Sequence, residues 1–482
     1  MRGVFSNLVD EKNKECITIL DEDGFVIASS DKDHIDLGKK LPIVLNENYK
    51  IVSFAGRDYL AKTCKTNGYQ GFYGLKWYGH IMIPLDYAFL SDELNSLDVD
   101  YNIINSMMDN EQHFSKELKD VFYKSKTIQD DLGRVIWNGN IAQSKLNSTN
   151  RQFSKSLLNE IGVTGNKANA SLNNLNQTII SSILKDSEFL SSLAIDIMDR
   201  NLYERANDCR WWALTSYFRE ALDNPKELSE RKDEITSILN YINGLYTVYT
   251  NLLIFDKTGK VIAVSNKDSE YLVGKMLTYE WVEKTLNLKD TSKYCVSKFE
   301  KSPLYDNEST YIYSSAIRSL KDERFVTGGI AVIFDSTPQF NAMLDESLPR
   351  DVEGNKIPGI FALFTNKDKQ IISSTDDNFP VDSYLNIDDK FFTLKNAQQK
   401  SQIIEFNNRY YAVGVKCSNG YREYKSRVDD YKNDVLCFVF IYIGKKDCNV
   451  FLDSSKSKFS TTIKSKFTDT SVELATFYLG KK

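Results

Sequence analysis

The sequence predicts an α+β protein: antiparallel-sheet modules in tandem, joined by long α-helices. Three observations lead there. A phrase of apolar strand, turn and apolar strand occurs three times, as ILDEDGFVIASSD (19–31), IFDKTGKVIAVSN (254–266) and LFTNKDKQIISST (363–375). Each copy is followed by a tyrosine-bearing stretch and then a strongly apolar one. None of the eight prolines lies between Pro84 and Pro225, and that stretch reads as helix. At 482 residues the chain exceeds what one hydrophobic core usually serves, so several domains are expected.

In the first copy Ile19, Leu20, Phe25, Val26 and Ile27 flank an Asp-Gly pair, whose glycine suits the positive φ of a tight hairpin turn. The register is kept between copies: Asp21 to Ser30, Asp256 to Ser265 and Asn366 to Thr375 have one common spacing. The third copy carries Lys369 where Gly24 and Gly259 stand, so a different turn is expected there. Downstream, DLGKKL (Gly38) parallels LVGKML (Gly274), whereas YLNIDD in the third copy has no glycine. Tyr59, then Tyr311 and Tyr313, then Tyr410 and Tyr411 mark the next strands. WYGHIMIPL, GGIAVIFD and VLCFVFIYI close the units. Repeats this long are whole small domains, not solenoid units. The division is therefore 1–98, 238–345 and 346–450 for the sheet modules, 99–237 for the helices and 451–482 for a linker with a last strand.

Within the helical region Ala194, Met198, Leu202, Ala206, Cys209, Ala213 and Tyr217 recur at spacings of three and four, one buried stripe. Leu190, Leu193 and Ile197 lie beside it, more apolar surface than one sheet would cover, and a homodimer is expected. NGNIAQSKLNSTNRQ is polar all round and reads either as helix or as linker.

Several functional classes are excluded. A net charge of -5 without a basic stripe argues against nucleic acid. Seven cysteines, odd in number and without a CxxC, suit reduced thiols in a cytoplasm rather than disulfides or structural zinc. No apolar run is long enough to insert directly into a membrane. With three histidines (His34, His80, His113) and no HExxH, GxSxG, P-loop or GxGxxG motif, neither an enzyme nor a cofactor is expected. LDEDGFVIASSD lacks the alternating ligands and terminal glutamate of a calcium loop and reads as a hairpin. His80, in an apolar strand, reads as a core or edge histidine. GYREYKSRVDDYKNDV (420–435) reads as a solvated excursion in which Arg422 and Arg427 could meet an anion.

The ligand-binding candidates fall in the second module: Trp281, Tyr294, Tyr311, Tyr313 and Asp335. Two readings stand for them. The aromatics are core and cross-strand packing, or they line a pocket on the open sheet face for a small amine-bearing molecule. Asp335 either faces that ligand or begins the turn into STPQFNAML, with Thr337 as N-cap and Pro338 as first helical residue.

DRNLYERANDCRWWAL, LLIFDKTGKVIAVS, LVGKMLTYEWVEKTL, STYIYSSAI and GGIAVIFDSTPQF, in that order, resemble the double Cache sensor family, a long helix followed by two PAS-like sheets. The resemblance runs from Ser181 to about Gly444, and the chain up to about Phe89 is similar to a further PAS- or Cache-like unit. VELATFYLGKK (Val472–Lys482) resembles the opening strand of a CheW-type coupling domain. The resemblance implies a ligand sensor of bacterial signal transduction, active in chemotaxis and coupled to its kinase or receptors through the rest of that domain. Proteins of that family are usually extracytoplasmic and held by transmembrane helices, and the cytoplasmic setting expected here from the cysteines and the lack of a long apolar run departs from that pattern. Tyr311, Tyr313 and Asp335 would be counterparts of the family's amino-acid-binding residues, although its Arg-x-Trp-Tyr element is absent. The rival expectation is a structural scaffold whose modules are degenerate and ligand-free.

Overall fold

The computed structural model describes residues 14–47, 49–66, 75–88, 101–108, 110, 113, 116–143, 148–224, 226, 228–351, 353–426, 429, 431 and 434–446. The VELATFYLGKK strand and Arg427 lie outside these. Two compact units divide the chain, Met1–Asp98 with Gln129–Ser181 and Val99–Ile128 with Ser182–Lys482.

The first unit holds module one: β1 (Cys16–Leu20), β2 (Val26–Ser29), β3 (Lys50–Phe54), β4 (Arg57–Lys65), β5 (Tyr78–Pro84) and the short α1 (Leu85–Ala88). Its antiparallel sheet has the order β2-β1-β5-β4-β3. Cys16 pairs with Met82 and Met82 with Ala61, while His80 joins Thr18 to Thr63, so these residues form rows on one face. That face holds the core, with Leu20, Val26, Ile35, Leu41 and Tyr59.

Two helices, α2 (Tyr101–Met108) and α3 (Lys116–Gln143), precede the long α4 (Ser148–Ala213). Gly139 faces Leu158, Gly162 faces Ile136 and Gly165 faces Leu132, so α3 and α4 run antiparallel here. The polar NGNIAQSKLNSTNRQ stretch thus ends α3 and opens α4, with 144–147 outside the described residues.

The second unit continues through α5 (Ser216–Asp223) and α6 (Leu228–Leu245) into module two. Its strands are β6 (Tyr249–Asp256), β7 (Val261–Val264), β8 (Cys295–Val296), the ribbon β9 (Glu300–Lys301) with β10 (Ser309–Thr310), β11 (Ile312–Arg318) and β12 (Val326–Phe334). Helix α7 (Glu280–Leu286) lies within it and α8 (Ser336–Ser347) follows it. Module three adds β13 (Ile360–Asn366), β14 (Ile371–Ser374), β15 (Gln399–Phe406), β16 (Arg409–Cys417) and β17 (Val435–Lys445). The orders β7-β6-β12-β11-β8 and β14-β13-β17-β16-β15 repeat that of module one. The three phrases therefore open three sheets of one topology.

The hydroxyl at the end of each phrase has a defined task. Ser30 Oγ accepts from Ile17 N at 2.8 Å, Ser265 Oγ from Leu252 N at 2.8 Å and Thr375 Oγ1 from Ala362 N at 2.9 Å. Each satisfies a strand N–H at the point where the hairpin partner leaves the ladder.

The turn expected to differ does not. Gly24, Gly259 and Lys369 all have positive φ (89°, 86° and 70°), and each donates to the carbonyl of the Asp or Asn three residues earlier. Lys369 tolerates this left-handed backbone at a cost of about 1–2 kcal/mol that glycine avoids. The second glycine position is also filled. Asp382 (φ 68°) bonds Ile371 O as Gly38 bonds Val26 O and Gly274 bonds Val261 O. The third-copy counterpart of DLGKKL is thus the stretch around Asp382, not YLNIDD, because aspartate enters left-handed backbone more readily than most residues.

The α4 stripe is buried from Ala194 through Met198, Leu202, Ala206 and Cys209 to Ala213. It stops there, since the helix ends, and in α5 the buried residues are Phe218, Arg219, Ala221 and Leu222 rather than Tyr217. Sheet three meets α4 at Gly414, where a Cβ would sit 2.2 Å from the Ser187 backbone. Ser106 of α2 donates to Lys445 O at the end of β17 (2.7 Å). Among the described residues no helix is long and apolar enough to cross a membrane.

Candidate functional site

The five residues expected in module two do not share one pocket: Tyr294, Tyr311 and Tyr313 lie together on the helix-facing side and Trp281 on the other. Trp281, on α7, belongs to a core with Leu253, Phe255, Ile312, Ala331 and Ile333. Its ring meets Phe255 edge-on at 6.0 Å and stacks on Tyr279 at 5.8 Å. Strand alternation places Tyr311 and Tyr313 on the face opposite Ile312. Both are fully buried. Tyr311 packs on Phe299 (5.2 Å) and Phe340 (6.1 Å). Tyr313 lies towards Arg205 and Cys209 of α4, and burial pushes its pKa well up.

Tyr294 sits on that helix-facing side. Its hydroxyl donates to Asp429 Oδ2 at 2.6 Å, and Arg210 lies over its ring at 5.5 Å. Burial first, then the Asp429 bond, holds its proton far above the usual phenol range. Asp335 is the residue before α8 and accepts from Tyr305 Oη at 2.7 Å. Thr337 is therefore inside the helix rather than its cap, and its N–H donates to the same Tyr305 oxygen (3.2 Å). The Trp281 face is filled by core side chains, and the tyrosines belong to the helix interface.

The loop read as a solvated excursion is in part buried. Tyr424 and Lys425 are enclosed. Lys425 Nζ donates to Ser418 Oγ and Asp434 Oδ1, both at 2.9 Å, while Lys367 reaches the other Asp434 oxygen at 2.5 Å. Asp199 of α4 accepts from Ser418 Oγ (2.6 Å), Asn419 N (2.8 Å) and Gly420 N (2.7 Å). Burial raises its pKa and these donors oppose the rise. Loop and helix are locked by a paired polar network, the condition under which buried charge is tolerated. Arg422 is exposed, over the rings of Tyr203 (5.8 Å) and Tyr421 (5.4 Å).

A candidate lies in module one, a half-open cavity of about 120 Å³ lined by Lys14, Cys16, Asp31, His34, Arg57, Tyr59 and Pro84. Alternation puts Cys16, Arg57, Tyr59 and Pro84 on the core face, and the segment after β2 brings Asp31 and His34 over it. His34 Nε2 and Tyr59 Oη are 2.5 Å apart, and Arg57 also bonds the Tyr59 oxygen. Asp31 accepts from the Cys16 thiol (3.7 Å) and from His34 N (3.3 Å). Burial, reinforced by the Asp31 charge, pushes the Cys16 pKa up to about 12. The thiol is thus a poor nucleophile and a poor metal ligand. Among the described residues no group of three or more His, Cys, Asp or Glu could hold a metal ion.

Arg57 Cζ and Lys14 Nζ both lie over the Tyr87 ring, at 5.2 and 5.6 Å, which holds two cations at one end of the cavity. Arg57 also approaches Asp86 at 3.5 Å, on the exposed side. Of these residues sequence reasoning marked Tyr59 as a strand residue and counted Cys16, His34 and Pro84 without giving them a role in a site. The available signal was the period-two placement of Lys14 before Cys16 and of Arg57 before Tyr59.

No family model and no curated protein matches the chain. Among solved structures, it is similar to the ligand-binding domain of the Campylobacter jejuni chemoreceptor Tlp3 in complex with 4-methylisoleucine. The identity is 14%, over 54% of this chain and 91% of that one, with a TM-score of 0.39. The V. cholerae histidine kinase DctB sensor domain is similar at 12% identity, over 55% and 98%, with a TM-score of 0.35. Likenesses of this degree assign the chain no ligand and no activity.

Proposed function

We propose that the chain is a non-enzymatic small-molecule sensor of bacterial signal transduction. It binds a ligand in a sheet module and passes the change through its helices to chemotaxis partners. The observation that carries this reading is the module-one cavity, where cations, a carboxylate, a phenol and an imidazole converge on one sheet face. Such a set orients a ligand, as pockets with a few convergent polar groups do. It supplies no activated nucleophile, since the Cys16 thiol stays protonated beside Asp31. A ligand preferring one packing of sheet on helix shifts the population by its difference in affinity for the two states. A cytoplasmic setting and a homodimer belong to the same proposal. The six described cysteines are free, which suits a reducing compartment.

A second reading has its own support. The core faces of modules two and three are filled by their own side chains, as in a scaffold. Thermal-shift screening of the full chain against a chemically broad set of metabolites decides between them. The sensor reading expects one chemical class to raise the melting temperature saturably. A flat result across all classes, from folded protein, leaves the scaffold.

A further inference from the structure

We infer that the module-one cavity takes the monoanion of a small 2-hydroxy acid, an assignment that rests on the sensor reading above. Size sets the first limit. A cavity of about 150 Å³ holds benzene, so about 120 Å³ suits roughly five or six non-hydrogen atoms.

Charge sets the second. Among the lining residues Lys14 and Arg57 stand against Asp31, an excess of one positive charge, and Asp86, which pairs with Arg57 at 3.5 Å, is not among them and is 76% exposed. A monoanion cancels that excess. A zwitterion leaves it in place and a dianion overshoots it. The guanidinium has five donors, enough to serve Tyr59 and a ligand carboxylate together.

Asp31 sets the third. A carboxylate held by Arg57 and Lys14 shares the cavity with the Asp31 oxygens, an unfavourable pairing unless the ligand brings a donor beside its own carboxylate. A hydroxyl on the adjacent carbon supplies it without adding charge. The ring of Tyr59, Pro84 and the Cys16 sulfur then leave an apolar wall for hydrogen or methyl.

Calorimetric titration of the full chain tests the assignment with L-lactate and glycolate, against propionate (no hydroxyl), lactamide (no charge) and L-alanine (zwitterion). The two hydroxy acids should bind in about the 10 µM to 1 mM range expected of so few atoms. Each comparison compound should bind at least tenfold more weakly. Arg57→Gln should cost tenfold or more with an unchanged circular dichroism spectrum, and Lys14→Gln should weaken binding in the same direction. Asp31→Asn should narrow the preference for lactate over propionate. Equal affinity for lactamide, or wild-type affinity in both Arg57→Gln and Lys14→Gln, overturns the proposal. If the hydroxy acids fail while another class binds, the ligand class falls and the sensor reading stands. If nothing in the broad screen binds, both fall.

Discussion

Modules one and two share a topology and differ in what fills the core face of the sheet. In module two α7 lays Trp281 onto Phe255, Ile312 and Ile333. In module one the segment after β2 carries Asp31 and His34 to one end of the equivalent face, and charged and polar groups surround open space there. The same strand order therefore carries either a filled face or one that leaves a cavity at its end. The choice rests on the segment that covers the sheet, not on the sheet.

The largest test of that contrast is Trp281→Ala. Truncating a buried tryptophan should cost about 3–5 kcal/mol in urea denaturation. Arg57→Gln, which removes a 3.5 Å pair with a mostly exposed carboxylate, should cost under ~1 kcal/mol. A Trp281→Ala loss as small as that of Arg57→Gln would mean that the two faces are alike after all.

Acid should separate the modules next. His80 is 1% exposed in the core of module one, 2.8 Å from Thr63 Oγ1, and burial lowers its pKa from 6.5 to about 4. The unfolded chain takes up this proton near pH 6.5 and the folded one only near pH 4. Its contribution is therefore complete above pH 6.5 and falls by up to roughly 3 kcal/mol as the pH drops through that window. Hydrogen exchange of the β1 and β5 amides should accelerate across it, and His80→Gln should flatten the dependence. Exchange in β1 and β5 that ignores pH between 6.5 and 4 would contradict a neutral buried imidazole.

The smallest effect compares the turns. Lys369→Gly relieves a left-handed lysine and should stabilise module three by about 0.5–1 kcal/mol. Gly259→Ala, with a Cβ 3.2 Å from Leu277 O, should destabilise module two by at least as much. A Lys369→Gly variant that melts lower than the parent would show that the lysine side chain offsets its backbone cost.

The reach and limits of sequence reasoning follow from these particulars. The common spacing that ends on Ser30, Ser265 and Thr375 was legible, and the structure adds its reason: each hydroxyl accepts from a strand N–H. Lys369 and Asp382 were not, because glycine is only the cheapest residue at positive φ and not the only one. Period two correctly paired Tyr311 with Tyr313. It is silent on which face stays open, so Trp281 was grouped with side chains on the other side of the sheet. The cavity needs Lys14, Asp31 and Arg57 together, and only the pairing of β1 with β5 and of β5 with β4 joins them.

The bond from Ser418 to Asp199 spans 219 residues. A ribosome adding about 5–20 residues per second needs roughly 11–44 s to cover that distance. Throughout that time Asp199 waits on α4 without the three donors that later surround it, beside a stripe from Ala194 to Cys209 that awaits its sheets. The nascent helix must stay soluble on its polar residues alone until module three, made well after it, supplies the donors that surround the most enclosed acid among the described residues.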